Sequence, residues 1–245
     1  MKWIEADWPA PPWVRALTTT RLGGASHGRY AGLNLGDHVG DAPAKVAANR
    51  DLLCGILNLP RPPLWLHQVH GCSVVDEVSA KAGCEGDAVI GWDPGQVCAV
   101  LTADCLPILL TDHAGSRVAA IHAGWRGLAA GVIEATVSRL TSAPSNLLAW
   151  LGPAIGPQAF EVGPEVREHF LARDSAAGAA FVAHPGGKWL ADIFLLARQR
   201  LAKLGVEEVW GGGLCTYADP EHFYSHRRDG ITGRMASLIW LREKS

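Results

Sequence analysis

The sequence predicts one α/β domain built on a mixed β-sheet. Three observations carry this: short apolar runs of strand length, longer segments with apolar residues at helical spacing, and no polar linker long enough to separate two folding units. A chain of 245 residues can withdraw roughly 70–75% of its unfolded surface from water around one core. The domain is expected to take in residues 1–245.

The elements follow in order. Trp3, Trp8 and Trp13 are expected to pin an N-terminal arm to the body. Over 42–57, Val46, Leu53 and Ile56 share a helical face, and Asn49 falls on the same stripe. The apolar runs 97–102, 106–110, 118–121, 147–151 and 206–210 read as buried strands. Between them, 128–140 reads as a helix with Leu128, Val132, Ala135 and Arg139 on one face. A further helix over 190–204 places Leu190, Phe194, Ala197, Leu201 and Leu204 together, and Gly205 stops it as a left-handed cap. The segments 223–228 and 235–241, around Asp229-Gly230, read as a strand pair.

Composition narrows the function. With 22 Lys+Arg against 24 Asp+Glu and a formal net charge of −2, the chain has no general electrostatic grip on nucleic acid or an anionic membrane. No stretch reaches the ~18 uninterrupted apolar residues of a membrane span. Acids and prolines near the N-terminus stand where a signal peptide needs an apolar run, so a cytoplasmic location is expected. The six cysteines are too dilute for a disulfide scaffold, and none forms a CxxC pair.

Three segments break apolar runs with metal-capable residues: His67-Gln68-Val69-His70-Gly71, Ala103-Asp104-Cys105, and His122-Ala123-Gly124-Trp125-Arg126-Gly127. Two imidazoles and a thiolate suit zinc, with a fourth tetrahedral place open for water or substrate. Their wide spacing matches no local zinc motif. A rival reading makes Cys105 a nucleophile activated by His122, and a third makes all of them core residues at turns. Gly124, Gly127 and Gly131 around a helix start, with Arg126 on its first turn, suggest an anion site. Arg21 beside Gly23-Gly24 is a second candidate for phosphate or carboxylate. Asn34, Asn49 and Gln68 join Arg21 and Arg126 as candidate substrate contacts, although a buried amide can equally be holding a loop. Asp87 and Asp104 are placed to orient a ligating histidine or a water. Arg227 and Arg228 fit a solvated strand edge equally well.

Taken in order, the motifs TTRLGG (19–24), LNLG (33–36), NR (49–50), HQVHG (67–71), TADCLP (102–107), HAGWRG (122–127), LGPAIGP (151–157), CTY (215–217) and YSHRRDGITGRMASLIWL (224–241) resemble the bacterial YfiH-type family, also called multicopper polyphenol oxidoreductase or laccase-like. The resemblance covers almost the whole chain. It implies a single-domain layered α/β (α+β) sandwich with mixed β-sheets, a fold shared with cysteine-hydrolase-like proteins. It further implies a metal site of His70, Cys105 and His122, while His67 is not among the family's expected ligands; Asp104 joins these three as a catalytic candidate.

The resemblance also implies a zinc-dependent purine nucleoside phosphorylase acting on adenosine, inosine and methylthioadenosine, with adenosine deaminase activity. Its substrates would be a purine nucleoside and phosphate, with no nucleic acid or membrane partner, and a monomer or dimer as the working form. Two alternatives come with it: an amidase that edits muramyl-serine precursors of peptidoglycan, and a copper-dependent polyphenol oxidase. Cu2+ can occupy the same donors. The ten histidines include no His-x-His pair, so the donors of a trinuclear copper centre are missing from the sequence.

Overall fold

A computed structural model of the chain describes residues 1–243. The chain opens with β1 (Trp3–Glu5), β2 (Val14–Thr19), α1 (Pro43–Leu57), β3 (Val74–Asp76), β4 (Ala88–Gly91), β5 (Val97–Thr102) and β6 (Leu106–Asp112). It continues through β7 (Val118–Ala123), α2 (Trp125–Ala130), α3 (Val132–Leu140), β8 (Leu147–Leu151), β9 (Glu161–Val162) and α4 (Pro164–Leu171). The last third holds β10 (Phe181–His184), β11 (Lys188–Ala191), α5 (Ile193–Leu204), β12 (Glu208–Gly211), α6 (His226–Asp229) and β13 (Met235–Leu241).

Two main sheets stack on each other. One is mixed and six-stranded, in the order β12-β8-β6-β7-β4-β3, with parallel pairs at both edges. The other is antiparallel and four-stranded, β1-β2-β13-β5, and a small sheet β10-β11-β9 lies apart. Alternation along the strands sets the layers. Leu106, Ile108 and Leu110 of β6 pack with Val132, Ile133 and Val137 of α3 and Leu201 of α5. Leu109 turns the other way, toward Cys98 and Val100 of β5 and Ile239 of β13. On the far face of the second sheet, Leu238 and Trp240 meet Leu53 of α1. The order is therefore helices, sheet, sheet, helix. Strands covered on both faces are buried at every position and largely apolar, which is why β5 to β8 are legible as continuous runs.

Four expectations are corrected. The helix over 190–204 starts only at Ile193, and Leu190 belongs to β11, paired with Val182 and Glu161. The helix over 128–140 breaks at Gly131, whose φ of 105° is left-handed, giving α2 and α3. The break rotates the buried face to Ile133, Thr136 and Val137, and leaves Arg139 exposed. The segment 223–228 is no strand, because β13 already has β2 and β5 on its two sides. Instead Ser225 caps α6 by accepting from Arg228 N. Ile56, placed on the inner face of α1, is 45% exposed.

Leu109 has no solvent exposure and sits between the sheets. Leu109→Ala is expected to lower the free energy of unfolding by about 2–5 kcal/mol, read from chemical denaturation. A loss well under 1 kcal/mol would mean the two sheets do not share that core.

Candidate metal centre

The turn at Ala103-Asp104-Cys105 carries the chain from the end of β5 in one sheet to the start of β6 in the other. In the β6–β7 register Pro107 lies opposite His122 and Leu106 opposite Ala123, so Cys105 emerges beside His122 at one end of the sheet. His70 arrives on the loop before β3. The three possible ligand atoms lie within 4.8 Å of one another, and Cys105 Sγ is 3.7 Å from His70 Nε2. His122 is buried, Cys105 half-buried and His70 exposed, so the group is closed behind and open in front.

Asp87, fully buried, holds this arrangement. Its Oδ1 accepts from His122 Nδ1 at 2.7 Å and from His70 N at 2.9 Å. Its Oδ2 accepts from Gly71 N at 2.6 Å and Val69 N at 3.3 Å. Accepting from Nδ1 fixes the His122 tautomer with Nε2 free as a ligand. Burial pushes the Asp87 carboxyl up, but the hydrogen bond and charge of His122, with the backbone donors, bring it below its ordinary value. Burial likewise pushes the Cys105 thiol up, yet the positive charge and hydrogen bond of His122, and then His70, bring it down to about 6. The buried Cys98 thiol, with no such neighbour, is pushed up.

The backbone is strained on both sides of the site. His70 has φ 61° and Asp104 φ 95°, left-handed values that cost a non-glycine residue about 1–3 kcal/mol each and need surrounding structure to hold them. Asp87 holds the first. For the second, Asp104 Oδ1 accepts from Thr216 Oγ1 at 2.6 Å and Oδ2 from Arg227 N at 2.7 Å. Both carboxylate oxygens of Asp104 therefore fix the cysteine turn. Two glycines give the ligands room. A Cβ on Gly124 would lie 2.8 Å from His70 Cδ2 and 3.0 Å from Cys105 Sγ, and one on Gly127 would lie 2.6 Å from Gly71 O. Glycines read from the sequence as an anion turn thus clear space for the His70 loop. The donor set, its buried carboxylate support and this cradle fit a metal ion.

The other sequence candidates divide. Gln68 lines the cleft at the metal group, but its amide bonds both ways with Leu101 of β5, at 2.8 and 2.7 Å. Asn49 donates to Asn34 O and Ser26 Oγ and accepts from Ala25 N, holding the 25–34 loop to α1. Asn34, wholly buried, accepts from Gly36 N and Arg234 N. Arg21 lies over the Tyr224 ring and donates to Pro220 O, and it does not line the cleft. Arg126 does line it, stacked over Trp125. Arg228 is no solvated edge, since it donates to the carbonyls of Thr216, Tyr217 and Phe223. His67 is exposed and outside the metal group.

Two clefts meet at Cys105. The larger, about 390 Å³, exposes His38, Arg126, His226, Arg234 and the metal group, and no carboxylate lines it. The smaller, about 140 Å³, is walled by Trp125, Ile155, Phe160 and Ile193, with Asp104 and Arg227. His226 belongs to both, and its Nδ1 donates to Gly230 O at 2.7 Å, which leaves Nε2 for a ligand. Sequence reasoning passed over His38, His226 and Arg234. For His226 and Arg234 the signal lies diluted in the C-terminal stretch whose Arg227 and Arg228 fit a strand edge, and His38 stands outside every motif.

The family model of the multi-copper polyphenol oxidoreductase laccases matches residues 15–242. The chain belongs to this family. Among its relatives is "Purine nucleoside phosphorylase YfiH" of Shigella flexneri, 56% identical over 241 residues, 98% of this chain and 99% of that one. The protein of the same name from Escherichia coli (strain K12) is equally similar, at 56% over 241 residues and the same coverage. Among solved structures, a Neisseria meningitidis protein superposes with TM-score 0.96 at 47% identity, covering 99% of this chain and 100% of its own. The structure of YlmD from Geobacillus stearothermophilus gives TM-score 0.92 at 30% identity over 99% of this chain and 97% of that one. The laccase-like family name points to a metal, and the His-Cys-His group could hold one.

Protein purified without added metal is expected to carry close to one metal ion per chain. His70→Ala, Cys105→Ala and His122→Ala should each lose it, whereas Asp87→Asn should keep the three ligands but weaken affinity by about 10- to 100-fold in chelator competition. Full metal retention in all three ligand variants would overturn the centre. In metal-stripped protein, iodoacetamide should alkylate Cys105 at a rate that rises with pH through about 6, because only the thiolate reacts. Metal should suppress the reaction. A midpoint above pH 8 would contradict the imidazole–thiolate pairing.

Proposed function

We propose that the chain is a zinc-dependent purine nucleoside phosphorylase that cleaves adenosine, inosine and methylthioadenosine with phosphate, and that it also deaminates adenosine. The observation that carries this reading is the meeting of two unlike clefts at Cys105, one basic and free of carboxylates, the other apolar and aromatic. Phosphorolysis needs those two environments side by side. A phosphate oxygen bonds to ribose C1′ while the C1′–N9 bond breaks and its electron pair leaves with the base. The basic cleft suits the anion and the aromatic slot suits the flat base, with His226 lining both. The relatives named purine nucleoside phosphorylase, matched over nearly their full length, support the same reading.

His70, Cys105 and His122 would hold the zinc, which would supply the Lewis acidity that purine deamination requires. The donor set accepts copper as well. A multicopper oxidase needs several clusters, however, and among the described residues this is the one group of three or more metal-capable side chains within ligand reach.

A second reading has its own observation. Asp87, His122 and Cys105 lie in the order of a thiol hydrolase's acid, base and nucleophile. An amide such as that of a muramyl-serine precursor would then form an acyl adduct on Cys105, detectable by mass spectrometry.

Zinc-loaded protein incubated with adenosine, with and without phosphate, separates the readings by product mass. Adenine and ribose 1-phosphate are expected only when phosphate is present, and inosine in either tube. Adenosine untouched in both would overturn the nucleoside reading.

A further inference from the structure

We propose that Arg234 and the hydroxyl of Thr102 form the seat for inorganic phosphate in the basic cleft; the assignment rests on the phosphorylase reading above. Both residues line that cleft, beside Cys105. Arg234 Nη1 is anchored by the carbonyls of Thr232 and Gly233, each at 3.0 Å. Among the described residues its Nε and Nη2 have no hydrogen-bond acceptor, and Cys105 and Asp104 act on it through their charge without a hydrogen bond to it. An arginine fork fixed at one nitrogen, with its other edge free, is prepared for two parallel bonds to a tetrahedral anion.

The surrounding structure is built to place this side chain. Asn34 Oδ1 accepts from Arg234 N at 2.9 Å, and Asn49 Nδ2 in turn donates to Asn34 O at 2.8 Å. A Cβ on Gly36 would lie 2.8 Å from Arg234 Cγ, so only glycine leaves the guanidinium stem its path. The buried amides and the glycine of the 33–36 motif therefore position Arg234 and do not touch substrate themselves.

Thr102 supplies an independent observation. It is 1% exposed, and its Oγ1 has no hydrogen-bond partner. A buried hydroxyl left unpaired is destabilising, and on the wall of a binding cleft a ligand oxygen can provide the missing partner. Arg126, exposed and stacked over Trp125, lies at the rim, where its charge draws anions in without seating them.

The test is calorimetric titration of the zinc-loaded protein with inorganic phosphate, alongside the KM for phosphate and for adenosine. Arg234→Met should raise the phosphate Kd and KM by about tenfold or more and leave the adenosine KM unchanged. Thr102→Val should raise the phosphate constants in the same direction while its unfolding midpoint stays the same or rises, because the hydroxyl it removes bonds to nothing in the protein. If Arg234→Met does not fold, Thr102→Val decides alone. A wild type that binds phosphate while the folded variants bind it equally well would overturn the seat and leave the phosphorylase reading standing. Adenosine cleavage that proceeds without phosphate would overturn the reading itself.

Discussion

One buried carboxylate organises the site. Asp87 takes four hydrogen bonds from three consecutive backbone amides, Val69 to Gly71, and from the His122 ring. A charge with no solvent exposure is tolerable only when donors replace water, and here the donors are the two histidine-bearing segments themselves. Desolvating Asp87 and assembling the metal ligands are one event. That coupling also holds His70 in a left-handed backbone that an isolated loop would leave.

The layered fold explains why the site lies where it does. Strands β5 and β6 belong to different sheets, so the chain has to turn sharply between layers at Asp104-Cys105. The turn is secured from outside by Thr216 and Arg227, residues of the C-terminal third. The metal group is therefore stitched from segments far apart in sequence, each braced by another, and it exists only in the folded chain. Such a group is braced at its donor side chains and open toward the clefts.

The two clefts divide labour by physical character. Histidines and arginines form one wall, and no carboxylate lines the cleft itself, so an anion there can replace lost hydration. Aromatic and branched side chains form the other, where a flat ring gains contact area. Cys105 and His226 belong to both, so the bond between the charged and the flat halves of a substrate would fall beside them.

Much of this was legible beforehand, and particular residues show where legibility stopped. The apolar runs at 97–102 and 147–151 fixed their strands because both faces of each are buried, and Gly205 ended α5 in the left-handed conformation expected of it. His70, Cys105 and His122 were recoverable through the motifs in which they stand, as donor types suited to one metal. Local pattern could not tell that Gly131 would break a helix, or that 223–228 would find no free strand edge. Nor could it tell that Asn34 and Asn49 would spend their amides on a loop and Arg21 on Tyr224, while Arg234 would face the cleft. A side chain's role as ligand or brace depends on which partner folding brings within about 3 Å, and that is set by distant segments. The sequence by itself determined the buried strands, the donor types and the family. Tertiary structure alone decided which polar groups the protein satisfies and which line the clefts, because the partners come from segments distant in sequence.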